Sequence, residues 1–456
     1  MIAALQNFRC RLRRFALNHA GNVALTFGIA TMPILGAIGA AVDFSHANDV
    51  KAAMQAALDS TALMLSRDAA TLSNADLQTK AKNYFLAMFV RPEATNIVVS
   101  ATYTQSGGSQ VIVNGSAKVP TAIMGIVGYN SITVGGSSTA KWGSSRLRVA
   151  LALDNTGSMA DDGKMTALKS ATKSLLTQLK NATSVNGDVY VSIIPFAKDV
   201  NVGSNNYNAS WIDWTDWSND SNNYACSSSR YSSQSSCTRA GYSWSLNNKN
   251  SWNGCVTDRG GSSAPDSNNY DQKITAPGST AASKFPAEQY DSCPVAMTGL
   301  TYDWTSLNNL VDNMSPLGGT NQPIGLVWAW QSLVGGGPLT SPAKDSNYTY
   351  QDIIILMSDG LNTQDRWYGN GSTTSTSVDK RMYNSSSSGS GTCANIKAAG
   401  VTIYSIQVDT GGDGLSTVMQ NCASSSDKFW RITSAGDLGT VFTAIGTNLT
   451  KLRVAK

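Results

Sequence analysis

An uncharged run of 20 residues, VALTFGIATMPILGAIGAAV at positions 23–42, most strongly limits how this chain folds. A helix rises about 1.5 Å per residue, so about 20 apolar residues span the hydrocarbon core of a bilayer. Arg9, Arg11, Arg13 and Arg14 precede the run. Because basic residues stay on the cytoplasmic side, the sequence predicts a retained membrane helix with its N-terminus inside. The alternative is a cleaved secretory signal; the length of the run, and a helical pattern that continues beyond it, favour the anchor.

Charge is balanced in the rest of the chain. The 456 residues carry a net charge of +4, which comes from the four arginines, since the remainder holds 30 basic and 30 acidic residues. Nucleic-acid binding needs a clustered excess of Lys and Arg, so this class of function is excluded. Apolar residues make up 41% of the chain, which is enough for folded cores, and the length favours two or three domains.

Six of the seven cysteines follow the apolar run, and only Cys10 precedes it. An even number of cysteines in an oxidising compartment favours disulfides, and no Cys-x-x-Cys spacing or nearby histidine supports metal binding. Cys393 and Cys422 flank one predicted strand and are expected to pair. The other four permit three pairings between which the sequence does not choose: Cys226, Cys237, Cys255 and Cys293.

Four regions are predicted along the chain: a basic cytoplasmic segment at 1–21, a membrane helix at 22–43, a small helix-plus-sheet domain at 44–145 and an α/β domain at 146–456. In the small domain an apolar stripe continues the membrane helix to about residue 68, and a second helix follows near 75–90. Three segments of alternating polarity then predict an antiparallel sheet. A long N-terminal helix that leads into a small sheet resembles the plan of a pilin.

The α/β domain begins with LRVALAL, which is apolar on both faces, as a central parallel strand should be. Strands then alternate with helices, which predicts a doubly wound, Rossmann-like parallel sheet. The segment at about 200–300 has no helical period, so we interpret it as a disulfide-rich insertion. Its aromatic residues form either a recognition surface or a substitute core, and the second interpretation is favoured. Its tryptophans are Trp211, Trp214, Trp217, Trp244 and Trp252.

Oxygen-bearing side chains follow the predicted strands at three places. Asp154, Thr156 and Ser158 have D-x-T-x-S spacing, Thr320 lies in LGGTNQP, and Asp359 lies in LMSDG. Ligands of open parallel sheets bind outside the carboxyl ends of the strands, where these residues should meet. Two carboxylates, three hydroxyls and water would form an all-oxygen shell suited first to Mg²⁺, with Mn²⁺ or Ca²⁺ as alternatives. The competing interpretation is that Asp154 and Thr320 only cap the helices that follow.

These five residues resemble the metal-ion-dependent adhesion site (MIDAS) of von Willebrand factor A domains, whose pattern is D-x-S-x-S, then Thr, then Asp-Gly. Thr156 stands where serine is usual. The basic N-terminus, the run GNVALTFGIATMPILGAIGAAVDFS and the C-terminal α/β domain together resemble the TadG-like proteins of the tight-adherence (Flp) pilus system. The resemblance implies a pilus assembly component, anchored in the bacterial inner membrane and facing the periplasm, that binds partner proteins through a divalent ion.

The N-terminus is expected to remain intact. Gly21 lies where the related pseudopilins are cut by a prepilin peptidase, but they favour Glu at the fifth position after the cut, where this chain has Thr26.

The sequence does not predict an enzyme. Both histidines, His19 and His46, lie at the membrane segment, so the α/β domain has no Ser-His-Asp arrangement and no His-ligated zinc. The enzymatic alternative is a metal-dependent hydrolase that uses Asp154 and Asp359, and it lacks a general base. The expected partners are other pilus assembly proteins or pseudopilins, with no nucleic acid and no small-molecule substrate. A surface-exposed adhesin for host or matrix protein is the alternative function.

Overall fold

The computed structural model describes residues 19–105, 108–142, 145–261, 283–334, 338–339, 341–387 and 390–454. The four N-terminal arginines and Cys10 therefore lie outside the described residues. The chain divides into two compact units, Met1–Trp142 and Gly143–Lys456.

The first unit begins with a long helix, α1 (His19–Leu65), which contains Pro33. Among the described residues, α1 is the one helix long and apolar enough to cross a membrane, judged by length and composition. Its first half leaves large apolar side chains exposed, such as Phe27 and Met32, and its second half buries one face that includes Val50 and Leu58. The predicted continuous N-terminal helix is confirmed.

The rest of this unit consists of a second helix and a small antiparallel sheet. Helix α2 (Asn74–Met88) begins at Ser73, whose hydroxyl accepts the backbone N–H of Asp76. The sheet has the order β1-β2-β3, as the alternating segments predict. Its strands are β1 (Thr95–Thr104), β2 (Ser109–Pro120) and β3 (Ser131–Trp142).

Asp43 fixes the helix to the loop between β2 and β3. Its buried carboxylate accepts the backbone N–H groups of Ala122, Ile123 and Met124 at 2.9, 3.0 and 2.7 Å. A hydrogen bond from an N–H group to a charged acceptor is stronger than one to a neutral acceptor. The end of the apolar run is thereby tied to the folded part of the same unit.

The second unit is built on an eight-stranded sheet. The strands of this unit are β4 (Ser145–Asp154), β5 (Val189–Phe196), β6 (Val200–Asn201), β7 (Ile212–Asp213), β8 (Tyr224–Cys226), β9 (Trp244–Leu246), β10 (Cys255–Val256), β11 (Phe285–Pro286), β12 (Thr298–Thr301), β13 (Thr349–Ser358), β14 (Thr402–Val408) and β15 (Phe429–Ile432). The order in the large sheet is β10-β6-β5-β4-β13-β14-β15, with β12 also paired to β5. The five strands β5, β4, β13, β14 and β15 are parallel, and the short strands β6, β10 and β12 are antiparallel to their neighbours.

Helices cover both faces of the sheet. Leu151 and Leu153 of β4 pack into a core on one face, and Ala150 and Ala152 pack into a second core on the other face. The doubly wound α/β fold is confirmed, because a strand buried on both sides carries no polar alternation. The helices are α3 (Lys164–Asn181), α4 (Thr215–Asn219), α5 (Gln234–Arg239), α6 (Trp304–Asn313), α7 (Gln322–Val334), α8 (Thr376–Met382), α9 (Thr392–Ala398), α10 (Thr417–Cys422) and α11 (Leu438–Val454).

A glycine lets α7 lie directly on the sheet. A Cβ at Gly325 would come within 2.5 Å of the ring of Phe196, the last residue of β5. Only a residue without a side chain permits this approach. The close contact brings the loop before α7, which contains Thr320, to the carboxyl ends of the strands.

The insertion contains more regular structure than the sequence indicates, since short strands and two short helices, α4 and α5, lie between residues 200 and 300. None of its five tryptophans is fully exposed, and Trp217 and Trp252 are buried. The ring of Trp214 packs edge-on against both, at centroid distances of 5.4 and 5.5 Å. Trp211 and Trp214 pack against the core of the second unit, which includes Trp217 and Trp252, so four of the five tryptophans contribute to a core.

Three disulfides lie in the second unit. Cys226 pairs with Cys237 and Cys255 with Cys293, which gives one of the three pairings that the sequence leaves open. Cys393 pairs with Cys422 and joins α9 to α10, on either side of β14 in the sequence.

Candidate metal centre

The candidate site begins where two adjacent parallel strands end. Asp154 is the last residue of β4 and is fully buried. Leu153 is paired with Met357 of β13, and Asp359 comes directly after that strand. The strand register therefore places the two carboxylates at the same edge of the sheet, although 205 positions separate them in the sequence.

The loop after β4 connects these two carboxylates through hydroxyl groups. Thr156 donates both its backbone N–H and its Oγ1 hydroxyl to Asp154 Oδ1, at 2.8 and 2.6 Å. The hydroxyls of Thr156 and Ser158 are 3.2 Å apart. Ser158 Oγ donates to Asp359 Oδ1 at 2.8 Å. Four of the five predicted residues thus form a continuous chain of oxygen atoms.

Thr320, the fifth predicted residue, lies in the neighbouring loop and is 4% exposed. The carbonyl of Gly318 in that loop accepts the N–H of Gly157 at 2.9 Å. Thr320 itself donates its N–H to Thr363 Oγ1 at 2.8 Å. The loop is held on one side by the D-x-T-x-S turn and on the other by the segment that follows Asp359.

The capping interpretation does not describe these residues. The carboxylate of Asp154 accepts hydrogen bonds from its own turn and from β13, and the N-cap position of α3 belongs to Gly163. At the start of α7, Asn321 Oδ1 accepts the N–H of Ile324 at 3.4 Å. Asn321, rather than Thr320, has the capping role there.

Sequence analysis missed two polar residues that support the site. Ser358, the last residue of β13, donates its hydroxyl to Asp154 Oδ2. Gln322 donates its amide to Ser358 Oγ at 3.0 Å and to the carbonyl of Gly360 at 2.9 Å. The sequence signal that could have indicated them is their position, since Ser358 directly precedes Asp359 and Gln322 lies two residues after Thr320.

Lys164 is the third residue that sequence analysis missed. It is the first residue of α3, it is 6% exposed, and its Nζ donates to Asp359 Oδ2 at 2.6 Å. A buried lysine requires a paired anion, and Asp359 supplies it. The candidate centre therefore contains one cation of its own.

Burial is the main reason why the pKa of Asp154 is raised to about 7, and repulsion from the Asp359 carboxylate adds to the shift. Hydrogen bonds from Ser358 and Thr156 act to lower this pKa but do not outweigh burial. A divalent ion beside Asp154 would favour the charged carboxylate and reverse the direction of the shift.

The donor atoms of the site fit a hard cation. They are carboxylate and hydroxyl oxygens, which Mg²⁺, Mn²⁺ and Ca²⁺ prefer. Across the described ranges no group of three or more His, Cys, Asp and Glu residues is placed to hold a metal, so a cation here would depend on two carboxylates and neutral hydroxyls. Residues 143–456 contain no histidine to serve as a general base.

A buried ionic network supports the loop that contains Thr320. Arg381 donates to Asp258 Oδ1 at 2.8 Å and to Asp365 Oδ2 at 2.5 Å. Asp258 Oδ2 also accepts the side-chain amide of Asn321 at 2.8 Å. The insertion, which supplies Asp258, is thereby connected to the loops on both sides of the site.

Residues 21–67 match a family model described as Putative Flp pilus-assembly TadE/G-like. The N-terminal segment of this chain is therefore TadE/G-like, which confirms the predicted resemblance over these residues. No curated protein matches the chain.

Several solved structures align with part of this chain. The von Willebrand factor domain of the type V pili tip protein Mfa5 from Porphyromonas gingivalis is 12% identical, with a TM-score of 0.36, over 70% of this chain and 98% of that one. The pilus adhesin SpaC from Lactobacillus rhamnosus GG is 14% identical, with a TM-score of 0.34, over 78% of this chain. The match spans 34% of the SpaC chain. Proximal thread matrix protein 1 from the mussel byssus, with a zinc-occupied MIDAS motif, is 12% identical, with a TM-score of 0.30, over 66% of this chain and 46% of that one.

Proposed function

We propose that this chain is a membrane-anchored, non-enzymatic component of Flp pilus assembly that binds partner proteins through a divalent cation. The observation that carries the proposal is the chain of oxygen atoms that runs from Asp154 through Thr156 and Ser158 to Asp359. The match of residues 21–67 to the TadE/G-like model supports the assignment to pilus assembly.

The proposed ligands are of two kinds, charged carboxylates and neutral hydroxyls. Asp154 and Asp359 supply the negative charge that holds a dication, and the hydroxyls of Thr156, Ser158 and Thr320 complete the shell without adding more. A dication with few anionic ligands keeps an affinity for one further carboxylate. We infer that a partner protein supplies this carboxylate, and that Mg²⁺ is the ion, with Mn²⁺ or Ca²⁺ as alternatives.

We also infer the topology from charge and from the disulfides. The arginines before α1 favour an N-terminus in the cytoplasm, and α1 would cross the inner membrane once. The three disulfides of the second unit favour an oxidising compartment, which supports a periplasmic location for the part of the chain that follows α1.

The metal site can be tested by calorimetric titration of the full chain in detergent with Mg²⁺ and Mn²⁺, after EDTA treatment and removal of the chelator. We expect Asp154→Ala and Asp359→Ala to abolish binding with the circular dichroism spectrum unchanged. Asp312→Ala is the matched control, because Asp312 is an exposed carboxylate on α6 that pairs with Lys173. Binding that persists in both site variants would refute the proposed ligand set.

Partner binding can be tested in membranes that contain the other pilus assembly proteins. We expect these proteins to co-purify with the wild-type chain in Mg²⁺, and both EDTA and Asp154→Ala to release them. Equal recovery in all three conditions would show that the association does not depend on the cation.

A further inference from the structure

The position of Lys164 is electrostatically unusual. It is the first residue of the 18-residue helix α3, and the N-terminus of a helix carries partial positive charge that disfavours a cation. The side chain is also buried, which removes most of the water that would solvate its charge. Both costs are offset by the ion pair between Lys164 Nζ and Asp359 Oδ2, which are 2.6 Å apart. The side chain of Asp359 is only 1% exposed.

We propose that Lys164 is a built-in cation that neutralises Asp359 when no metal is bound and thereby weakens the affinity of the site for a divalent ion. This inference rests on the proposed metal site and concerns a residue outside the predicted ligand set. Asp359 is bonded through Oδ1 to Ser158 and through Oδ2 to Lys164, so the carboxylate already has a cation on one side.

Charge explains why Lys164 should oppose metal binding. When both carboxylates are charged, as a bound dication favours, the ammonium of Lys164 makes the net charge of the site −1 instead of −2. A buried ammonium held beside Asp359 also repels an arriving dication, and repulsion at close range is strong in a site shielded from water. The Asp359 carboxylate then interacts with two cations at once, so its attraction for the metal ion is weaker.

Removal of the Lys164 charge should therefore favour metal binding through its effect on the metal-bound state and also through its effect on the metal-free state. The metal-bound state loses a repulsive neighbour. The metal-free state loses the partner of a buried carboxylate and becomes less stable. Both changes increase the free-energy difference between the metal-free and the metal-bound protein. The metal should therefore bind more tightly and should stabilise the protein by a larger amount.

The experiment compares Lys164→Met and Lys164→Gln with the wild-type full chain in detergent. Methionine keeps most of the length of the side chain without the charge, and glutamine keeps a hydrogen-bond donor without the charge. Lys169→Met is the matched control on the same helix, because Lys169 donates to the backbone carbonyl of Asp312 away from the site. Mg²⁺ affinity is measured by calorimetry, and the melting temperature is measured with and without Mg²⁺.

We expect both Lys164 variants to bind Mg²⁺ roughly tenfold or more tightly than the wild type, to melt at a lower temperature without metal, and to gain more from Mg²⁺. Lys169→Met should match the wild type in all three measurements. Unchanged or weaker Mg²⁺ binding by Lys164→Met and Lys164→Gln, beside a wild type that binds, would overturn this inference and leave the metal site standing. If neither the wild type nor the variants bind Mg²⁺, the proposed function fails, and the inference fails with it.

Discussion

Replacement of Arg381 by methionine is expected to destabilise the second unit strongly. The side chain of Arg381 is 4% exposed, and its guanidinium donates to the carboxylates of Asp258 and Asp365, whose side chains are 1% and 0% exposed. It also lies 4.9 Å from the centre of the Trp367 ring. The variant leaves two buried carboxylates without their shared cation, and loss of one partner from a buried ion pair costs about 3–5 kcal/mol. For a unit of this size about 2 °C is lost per kcal/mol, which gives a fall in melting temperature of about 6–10 °C.

The assay is thermal and urea unfolding of the full chain under non-reducing conditions, followed by circular dichroism. Lys173→Met is the control, because its pair with Asp312 is 38% and 56% exposed and should contribute no more than about 1 kcal/mol. Arg381→Met combined with Asp258→Asn and Asp365→Asn should recover much of the loss, since the two carboxylates that lose their cation are then replaced by neutral amides. A melting temperature of Arg381→Met within 2 °C of the wild type would refute the reasoning.

Three further predictions test other parts of the molecule. Burial acts to raise the pKa of Asp409, but an arginine of β15 and two backbone N–H groups lower it overall. Its contribution to stability is therefore present above about pH 4 and lost as the pH falls through the folded pKa. The melting temperature of Asp409→Asn should approach that of the wild type as the pH falls below about 4, and a constant difference would contradict this. Mass spectrometry should find peptides spanning Gly21 and Asn22, whereas a chain starting at Asn22 would show cleavage. Serine at both Cys393 and Cys422 should cost about 2–5 kcal/mol in urea unfolding, and an unchanged midpoint would count against the disulfide.

Much of the fold follows from local patterns in the sequence. The run that includes Leu147 and Leu153 is apolar on both faces, which is enough to predict a central strand with helices on both sides. The same argument brings Asp154 and Asp359 together, because parallel strands that are neighbours end at one edge. Thr320 is predicted from its position in LGGTNQP just before a helix, and the resemblance to a MIDAS agrees with it.

The remaining features depend on contacts between distant parts of the chain. Lys164 and Asp359 are 195 residues apart, and Arg381 and Asp258 are 123 residues apart. No local periodicity or spacing relates such pairs, and the pairing of the cysteines in the insertion is equally non-local. Only the folded arrangement of loops shows that the candidate site contains its own cation.

The most direct test of the central claim is the position of Mn²⁺ in crystals of the protein soaked with that ion, located by its anomalous scattering. The account predicts a single strong peak at the carboxyl edge of the sheet, coordinated directly or through one water by Asp154, Ser158 and Asp359. A peak elsewhere, or none at saturating Mn²⁺, would show that these oxygen atoms do not form a metal site.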